Sequence, residues 1–278
     1  MKTQNYLPHI FAVCALTVFV PLGATASVLS VLILTVLSLA LLFVLCKLIT
    51  ESAGCKTAFY MTFFISCAAA VYGAVTTFFD YINFLKLVQL PQTSAVFSAT
   101  VFSLLIIIFV ANQRKAIYKY SLCVAIIATF ILIICFLGGI KYFDFSHFKV
   151  MLKTPAATPA YYIRHLSVVA AIPLFVFADN KKLPQKTVLG GVVVGLLSLA
   201  LCTLQSVLML GNTNYNYPYL YAVSVISSGS LFTRLDGFVY FLFFVFAVIR
   251  ITICLKIVIF AVKHIFLKQT SSFCRDAR

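Results

Sequence analysis

Arg250 is the residue whose type and position point most directly to chemistry. It lies in the middle of the run 236–262, which is otherwise almost entirely apolar and long enough to cross a membrane. A cation at that depth is costly unless it is paired or faces a polar cavity. Two interpretations follow. Arg250 binds the anionic group of a ligand, or it bonds to backbone carbonyls of a broken neighbouring helix and holds the bundle together.

Three polar residues near the start of another apolar run form a second candidate group. Arg164, His165 and Ser167 lie early in the run 160–178, where the basic side chains could meet an anionic ligand group. An ionisable residue inside a membrane segment is by default a candidate for a functional site. We therefore predict that these residues bind ligand, with anchoring at lipid head groups as the alternative.

Asp80 follows the apolar run 57–79 and is one of only six acidic residues in the chain. It is the obvious partner for Arg164, for Arg234 or for the amine of a ligand. The alternative is a solvated loop charge, whose pairing contributes little. Arg234 and Asp236 are predicted to cap the entry of the last helix, because a carboxylate is favourable in the first turn of a helix.

Two positions could interrupt membrane helices. Pro21 and Gly23 lie close together in the first apolar stretch, and Pro173 lies late in the sixth. Discontinuous helices expose backbone groups that bind substrates in many transporters. A lone proline in a membrane helix is otherwise a tolerated kink. Gly23 is accordingly included in the predicted ligand site.

The usual signatures of catalysis are absent from the sequence. It contains no HExxH, GxSxG, P-loop or GxGxxG motif. None of the carboxylates pairs with another at helical spacing, as a general acid and base would. The nine cysteines are scattered, without a CxxC pair or metal-ligand spacing. We predict no catalytic residue, no metal site, no cofactor and no enzymatic activity.

The composition indicates whether these residues act in water or in a membrane. The chain of 278 residues is 63% hydrophobic and 10% charged, with a mean hydropathy of +1.09. Soluble domains carry about 25% charged residues, so this chain is predicted to be an all-α, polytopic membrane protein. Its net charge of +15 could suggest nucleic acid, but the basic residues lie mostly in short loops. That distribution is typical of membrane orientation, and we predict a lipid partner and no nucleic acid.

A single transmembrane domain over 1–262 accounts for the apolar runs. Each run is close to the 20 residues that a hydrocarbon core of about 30 Å requires. Eight helices are predicted, at about 8–24, 26–47, 57–79, 93–111, 120–139, 160–178, 187–210 and 236–262. Residues 1–26 alternatively resemble a cleavable signal peptide, which would leave the orientation of the later helices unchanged.

The basic residues predict the orientation of these helices. With eight spans and both termini in the cytoplasm, thirteen Lys and Arg residues lie inside and four lie in outer loops. This is a strong positive-inside bias. It requires the segment 215–233 to be external or re-entrant, because a further crossing would move the basic tail, 263–278, outside. The tail is therefore predicted to be cytoplasmic.

The order of these parts resembles the endospore germination permease family. This family supplies the polytopic B subunit of nutrient germinant receptors, within the amino acid–polyamine–organocation transporter superfamily. The matching residues are Tyr217-Pro218, Ser228-Gly229 and Arg234-Leu235-Asp236, followed by Arg250 at the position of a family lysine. In this pattern Asp236 stands for a glutamate.

The resemblance implies a fold and a function. The fold would be a LeuT-like bundle, truncated because the family has ten spans. The function would be sensing or transport of an amino-acid germinant, in a bacterial cell membrane or spore inner membrane, together with other receptor subunits. Arg164, Arg250 and the helix breaks would line the ligand cavity. The alternatives are a non-transporting scaffold subunit, suggested by the missing spans, and an unrelated membrane enzyme.

Overall fold

The computed structural model describes most of the chain as helix. The described residues are 28–51, 56–86, 92, 94–111, 114–147, 159–179, 185–211, 217–228 and 235–276. Across these ranges every regular element is helical and none is a strand, which confirms the all-α prediction for this part of the chain. The predicted first helix, 8–24, lies outside the described residues, as do Gly23 and Arg234.

Eight α-helices follow one another in the described ranges, with one short 3₁₀ turn between the fourth and fifth. In chain order they are α1 (Val28–Glu51), α2 (Lys56–Phe84), α3 (Ala95–Ala111), α4 (Arg114–Gly139), the 3₁₀ turn (Ile140–Tyr142), α5 (Pro159–Asp179), α6 (Gln185–Leu210), α7 (Pro218–Ser228) and α8 (Leu235–Asp276). The last helix runs well into the predicted basic tail. In α5, the helix continues through Pro173 without interruption.

Four of the described helices are long and apolar enough to cross a membrane. These segments are Tyr60–Phe84, Lys119–Tyr142, Leu189–Leu210 and Asp236–Lys263. Shorter apolar helical segments occur at Ile33–Leu45, Ala95–Ala111, Tyr162–Ile172 and Pro218–Ser227. The count of eight spans, the LeuT-like arrangement and the orientation of the termini stay predictions.

Large apolar side chains cover much of the outer surface of the bundle. Six side chains that are at least 60% exposed come from six different helices: Phe43, Phe64, Val96, Phe130, Leu197 and Phe238. A soluble monomer rarely exposes contiguous apolar surface on this scale. Together with the four long apolar helices, this surface fits a protein whose outer side chains contact lipid.

The bundle is organised around α8. This helix packs against α2, α3, α4, α5 and α7. Of the most apolar 18 residues of its stretch Asp236–Lys263, 67% are buried, compared with 28–44% for the other three candidate spans. A helix that is hydrophobic on all sides belongs in the interior. Any polar side chain in its central turns is therefore placed inside the protein.

The short helix α7 lies inside the bundle and not on its surface. Its 11 residues span about 16 Å at 1.5 Å per residue, half of a hydrocarbon core. It packs against α4, α6 and α8, and Leu220, Val223 and Ile226 are buried. The position of this segment relative to a membrane stays a prediction, but its apolar residues are used for packing within the protein.

The C-terminal end of α6 is closed by the loop that follows α4. Gly211 adopts a left-handed conformation, with φ of 67°, which commonly ends a helix. The backbone N–H of Asp144 donates to the carbonyl of Leu208 at 3.0 Å, so this loop satisfies one of the last carbonyls of α6. Hydrogen bonds from Ser146 hold the pKa of the exposed Asp144 carboxyl below its usual value.

Two glycines at the end of α4 allow α6 and α7 to approach it closely. A β-carbon on Gly138 would lie 3.1 Å from Ile226 of α7, and one on Gly139 would lie 2.9 Å from Nε2 of Gln205. That amide nitrogen donates to the carbonyl of Cys135 at 2.9 Å and thereby joins α6 to α4. The Gln205 side chain therefore has little freedom to move away.

The substitution Gly139→Ala should destabilise the protein, because the new methyl group displaces the Gln205 amide from its buried hydrogen bond. The expected cost is about 1–2 kcal/mol. Gly190→Ala in α6 is the matched control, since a β-carbon there meets no atom within 4 Å. Thermal unfolding in detergent should rank Gly139→Ala below the wild type and Gly190→Ala at or above it. Equal unfolding temperatures for the two variants would contradict this packing.

Candidate functional site

An ion pair at the end of α2 forms the exposed part of the candidate site. Arg164 of α5 donates from Nη1 to both carboxylate oxygens of Asp80, at 3.0 and 3.2 Å. The side chains are 45% and 35% exposed, respectively. Of the three partners that the sequence suggested for Asp80, the structure therefore pairs it with Arg164. The pair joins α2 to α5 across a separation of 84 residues in the chain.

Arg250 forms the buried part of the same cluster. It lies fifteen residues after the start of α8, about 22 Å along the helix axis, and only 1% of it is exposed. Its guanidinium interacts electrostatically with Asp80. Asp80 thus interacts with two cations, Arg164 at the surface and Arg250 in the core.

His165 belongs to the buried part of the cluster. Successive residues of an α-helix point about 100° apart, so the side chain of His165 leaves α5 in a different direction from that of Arg164. It is 5% exposed and interacts electrostatically with Arg250. One dipeptide therefore contributes one polar side chain to the surface of the site and one to its interior.

Tyr217 also contacts the cluster. Its hydroxyl donates to the backbone carbonyl of Asp80 at 3.4 Å, and its ring packs edge-on against Phe84 at 5.3 Å between centroids. Burial of the half-buried phenol, with the Asp80 carboxylate nearby, raises the pKa of Tyr217 to about 12. The tyrosine is thus a neutral hydrogen-bond donor over the physiological range of pH.

Aromatic packing fixes the position of Asp80 along α8. The ring centroid of Phe84 lies 4.6 Å from that of Phe243, and the centroid of Tyr81 lies 4.4 Å from that of Phe102 in α3. Such pairs contribute about 0.5–1.5 kcal/mol each beyond the area they bury. Because these rings immediately follow Asp80 in α2, they fix the carboxylate beside the central helix.

The remaining predicted site residues have local structural contacts. The Ser167 hydroxyl donates to the carbonyl of Arg164, one turn earlier in α5. Pro218 is the first residue of α7, a position where its missing N–H costs nothing. Asp236 lies in the first turn of α8, and its backbone N–H donates to Oγ of Ser227 at 3.1 Å. This contact joins the end of α7 to the start of α8.

Two members of the cluster were not assigned to the ligand site from the sequence. Tyr217 was identified only as part of a helix-entry motif, and Phe84 was not identified at all. The concentration of tyrosines in 215–221 could have indicated a polar aromatic contact. Its partner could not have been named, because the contact depends on how α7 packs against α2.

No protein-family model, curated protein sequence or solved structure matches the chain.

The chemistry of the site therefore has to be inferred from its own side chains. Within the described ranges, no group of three or more His, Cys, Asp and Glu side chains is arranged to hold a metal ion. The cluster instead combines two guanidinium groups, one carboxylate, an imidazole and a phenol. Guanidinium groups bind carboxylates through charge-assisted hydrogen bonds, so this arrangement is suited to binding a small carboxylate compound.

The two partners of the surface ion pair should differ in their importance for stability. Arg164→Gln removes an exposed pair, which is worth about 0–1 kcal/mol. Asp80→Asn should cost about 1–3 kcal/mol more, because it also removes the carboxylate that interacts electrostatically with the buried Arg250. Thermal unfolding in detergent should rank Asp80→Asn below Arg164→Gln. Equal or reversed unfolding temperatures would show that Asp80 does not stabilise Arg250.

Proposed function

We propose that the chain is a multi-pass membrane protein of the germination-permease type that binds an amino acid at the cluster of Asp80, Arg164, His165 and Arg250. Binding would serve sensing or transport of a nutrient in a bacterial cell membrane or spore inner membrane. The observation that carries this proposal is the gradient of burial through the cluster. Exposure falls from 45% at Arg164 and 35% at Asp80 to 5% at His165 and 1% at Arg250.

This gradient supports a ligand path because each step adds a polar group farther from the surface. Polar and ionisable side chains within membrane segments commonly mark substrate pathways. A ligand entering beside Arg164 meets Asp80 next, and Asp80 interacts electrostatically with Arg250 deeper in the protein. If the Asp80–Arg164 ion pair acted only at the surface, the cluster would not need a second, buried cation such as Arg250.

The types of charged group also suit an amino acid. The ligand carboxylate would bind a guanidinium, whose planar donors match a carboxylate. The ligand ammonium would bind the carboxylate of Asp80. Tyr217 could donate a hydrogen bond at the rim. In this proposal the bundle has eight spans with a LeuT-like order of helices, and the site opens on the outer side of the membrane.

A non-transporting scaffold subunit is the second candidate. It is favoured by one observation: the Asp80–Arg164 pair joins α2 to α5, and both helices pack on α8. Such a network can hold a bundle together without any ligand. In that case the chain would act through partner proteins, and the cluster would be important only for stability.

Substitution of Arg250 separates these two functions. In detergent-purified protein, Arg250→Ala should weaken binding of the amino-acid ligand at least 10-fold, whereas Lys256→Ala on the same helix should leave it unchanged. Binding should be measured for a panel of amino acids by scintillation proximity, and solute flux should be measured in proteoliposomes. Binding that is insensitive to Arg250→Ala would remove Arg250 from the site. Absence of binding and flux, with co-purification of a partner subunit, would favour the scaffold.

A further inference from the structure

His147 lies against the C-terminal end of α6, in the loop that follows α4. Its Nδ1 atom is 3.3 Å from the carbonyl oxygen of Leu208, 61 residues away in the chain. Its Nε2 atom is 3.8 Å from a carboxylate oxygen of Asp144. The ring also lies against Gly211, where a β-carbon would come within 3.2 Å of Nε2. Both nitrogens of the imidazole are therefore close to an oxygen that accepts hydrogen bonds.

This arrangement suits the protonated imidazole better than the neutral one. A neutral imidazole has one N–H donor and one nitrogen that only accepts, whereas the protonated ring donates from both nitrogens. In the neutral ring, one nitrogen therefore places a lone pair near an oxygen acceptor. The carbonyl of Leu208 adds to the preference for a cation, because the C-terminal end of a helix carries partial negative charge.

The carboxylate of Asp144 keeps its charge while the imidazole titrates. Hydrogen bonds from Ser146 hold the pKa of this carboxyl below its usual value, and histidine changes charge between about pH 5 and pH 8. Among the described residues, Asp144 is the one charged side chain that His147 contacts. Lys141, in the preceding 3₁₀ turn, lies over the ring of Tyr142 at 4.6 Å, and the last turn of α6 contains no charged residue.

We propose that His147 is a pH-sensitive contact between the loop after α4 and the end of α6. In the protonated form the ring donates to Leu208 and to Asp144 together, and the loop is held most tightly. As pH rises through the titration range of imidazole, one of these donors is lost. The stabilisation is therefore present at low pH and is lost as pH rises, which is the direction for a cation that gains partners on folding.

The contact acts on backbone hydrogen bonds whose opening can be measured. The N–H of Asp144 donates to the carbonyl of Leu208 at 3.0 Å, and the N–H of Gly211 donates to the carbonyl of Val207 at 2.9 Å. Local opening of this loop exposes such amides to exchange with solvent. His147 and Asp144 are 30% and 57% exposed, so the imidazole can exchange protons with water without unfolding of the bundle.

The experiment is amide hydrogen exchange of the full-length protein in detergent, measured by mass spectrometry at about pH 5.5 and about pH 8, on either side of the imidazole titration. Each exchange rate is divided by the intrinsic chemical rate at the same pH, so that only opening of the structure is compared. Protection of the Asp144 and Gly211 amides should be about 3-fold higher at the lower pH, the size expected of one partly exposed charged pair. Peptides from the first turns of α6 are the internal control and should show equal protection at both pH values.

Two substitutions of the same residue separate the effect of charge from that of packing. His147→Gln keeps a hydrogen-bond donor but never becomes charged, so protection should be low and equal at the two pH values. His147→Lys is charged at both pH values, so protection should be high and independent of pH. Asp144→Asn should reduce the pH dependence without abolishing it, because the carbonyl of Leu208 remains. Size-exclusion profiles and unfolding temperatures establish that each variant is folded.

The wild-type comparison decides the inference even if a variant fails to fold. Equal corrected protection of the wild type at the two pH values would overturn it. A pH dependence that persists in His147→Gln would also overturn it, because another group would then be titrating. A pH dependence that is unchanged in Asp144→Asn would contradict the part assigned to the carboxylate.

Discussion

The charge of Arg250 has to be stabilised by the protein itself, because it lies in the middle of the most deeply buried helix of the bundle. A guanidinium group cannot lose its proton under ordinary conditions, so neutralisation is not an alternative to pairing. Asp80 on α2 supplies negative charge near it. The positions of α2 and α5 around α8 are therefore connected: α2 carries the carboxylate, and α5 carries the second cation that shares it. The apolar packing of the described helices has to be compatible with this electrostatic interaction.

Aromatic residues make that position of α2 specific. Phe84 packs against Phe243 of α8 and against Tyr217, so the turn that follows Asp80 contacts both the central helix and the entrance of α7. A shift of α2 along α8 would break these ring contacts and the electrostatic contact together. Arg164 and Asp80 are the exposed groups of the cluster. The apolar ring contacts and the polar cluster therefore depend on the same position of α2.

Part of this arrangement could be predicted from the sequence. The apolar runs overlap the described long helices, although α8 continues to Asp276, well beyond the predicted end at 262. The burial of Arg250 follows from its position within such a run. Asp80 was paired with Arg164 as one of three possibilities, because few carboxylates were available. The inward direction of His165 and the contact of Tyr217 with Asp80 could not be predicted, since both depend on how α5 and α7 are rotated against their neighbours.

Pro173 gave an ambiguous signal. The helix continues through it, which corresponds to the tolerated proline and not to a break.

The most direct test of this account is a double-mutant cycle between Asp80 and Arg250. The free energy of unfolding in a reversible detergent titration would be measured for the wild type, Asp80→Asn, Arg250→Gln and the double variant. The account predicts that the double variant is more stable than the sum of the single effects implies, by about 1 kcal/mol or more. Asp80→Asn removes negative charge that stabilises the buried Arg250 cation, and that part of the cost disappears once residue 250 is neutral. Additivity within about 0.3–0.5 kcal/mol would show that the two residues are energetically independent and would contradict the central role of their interaction.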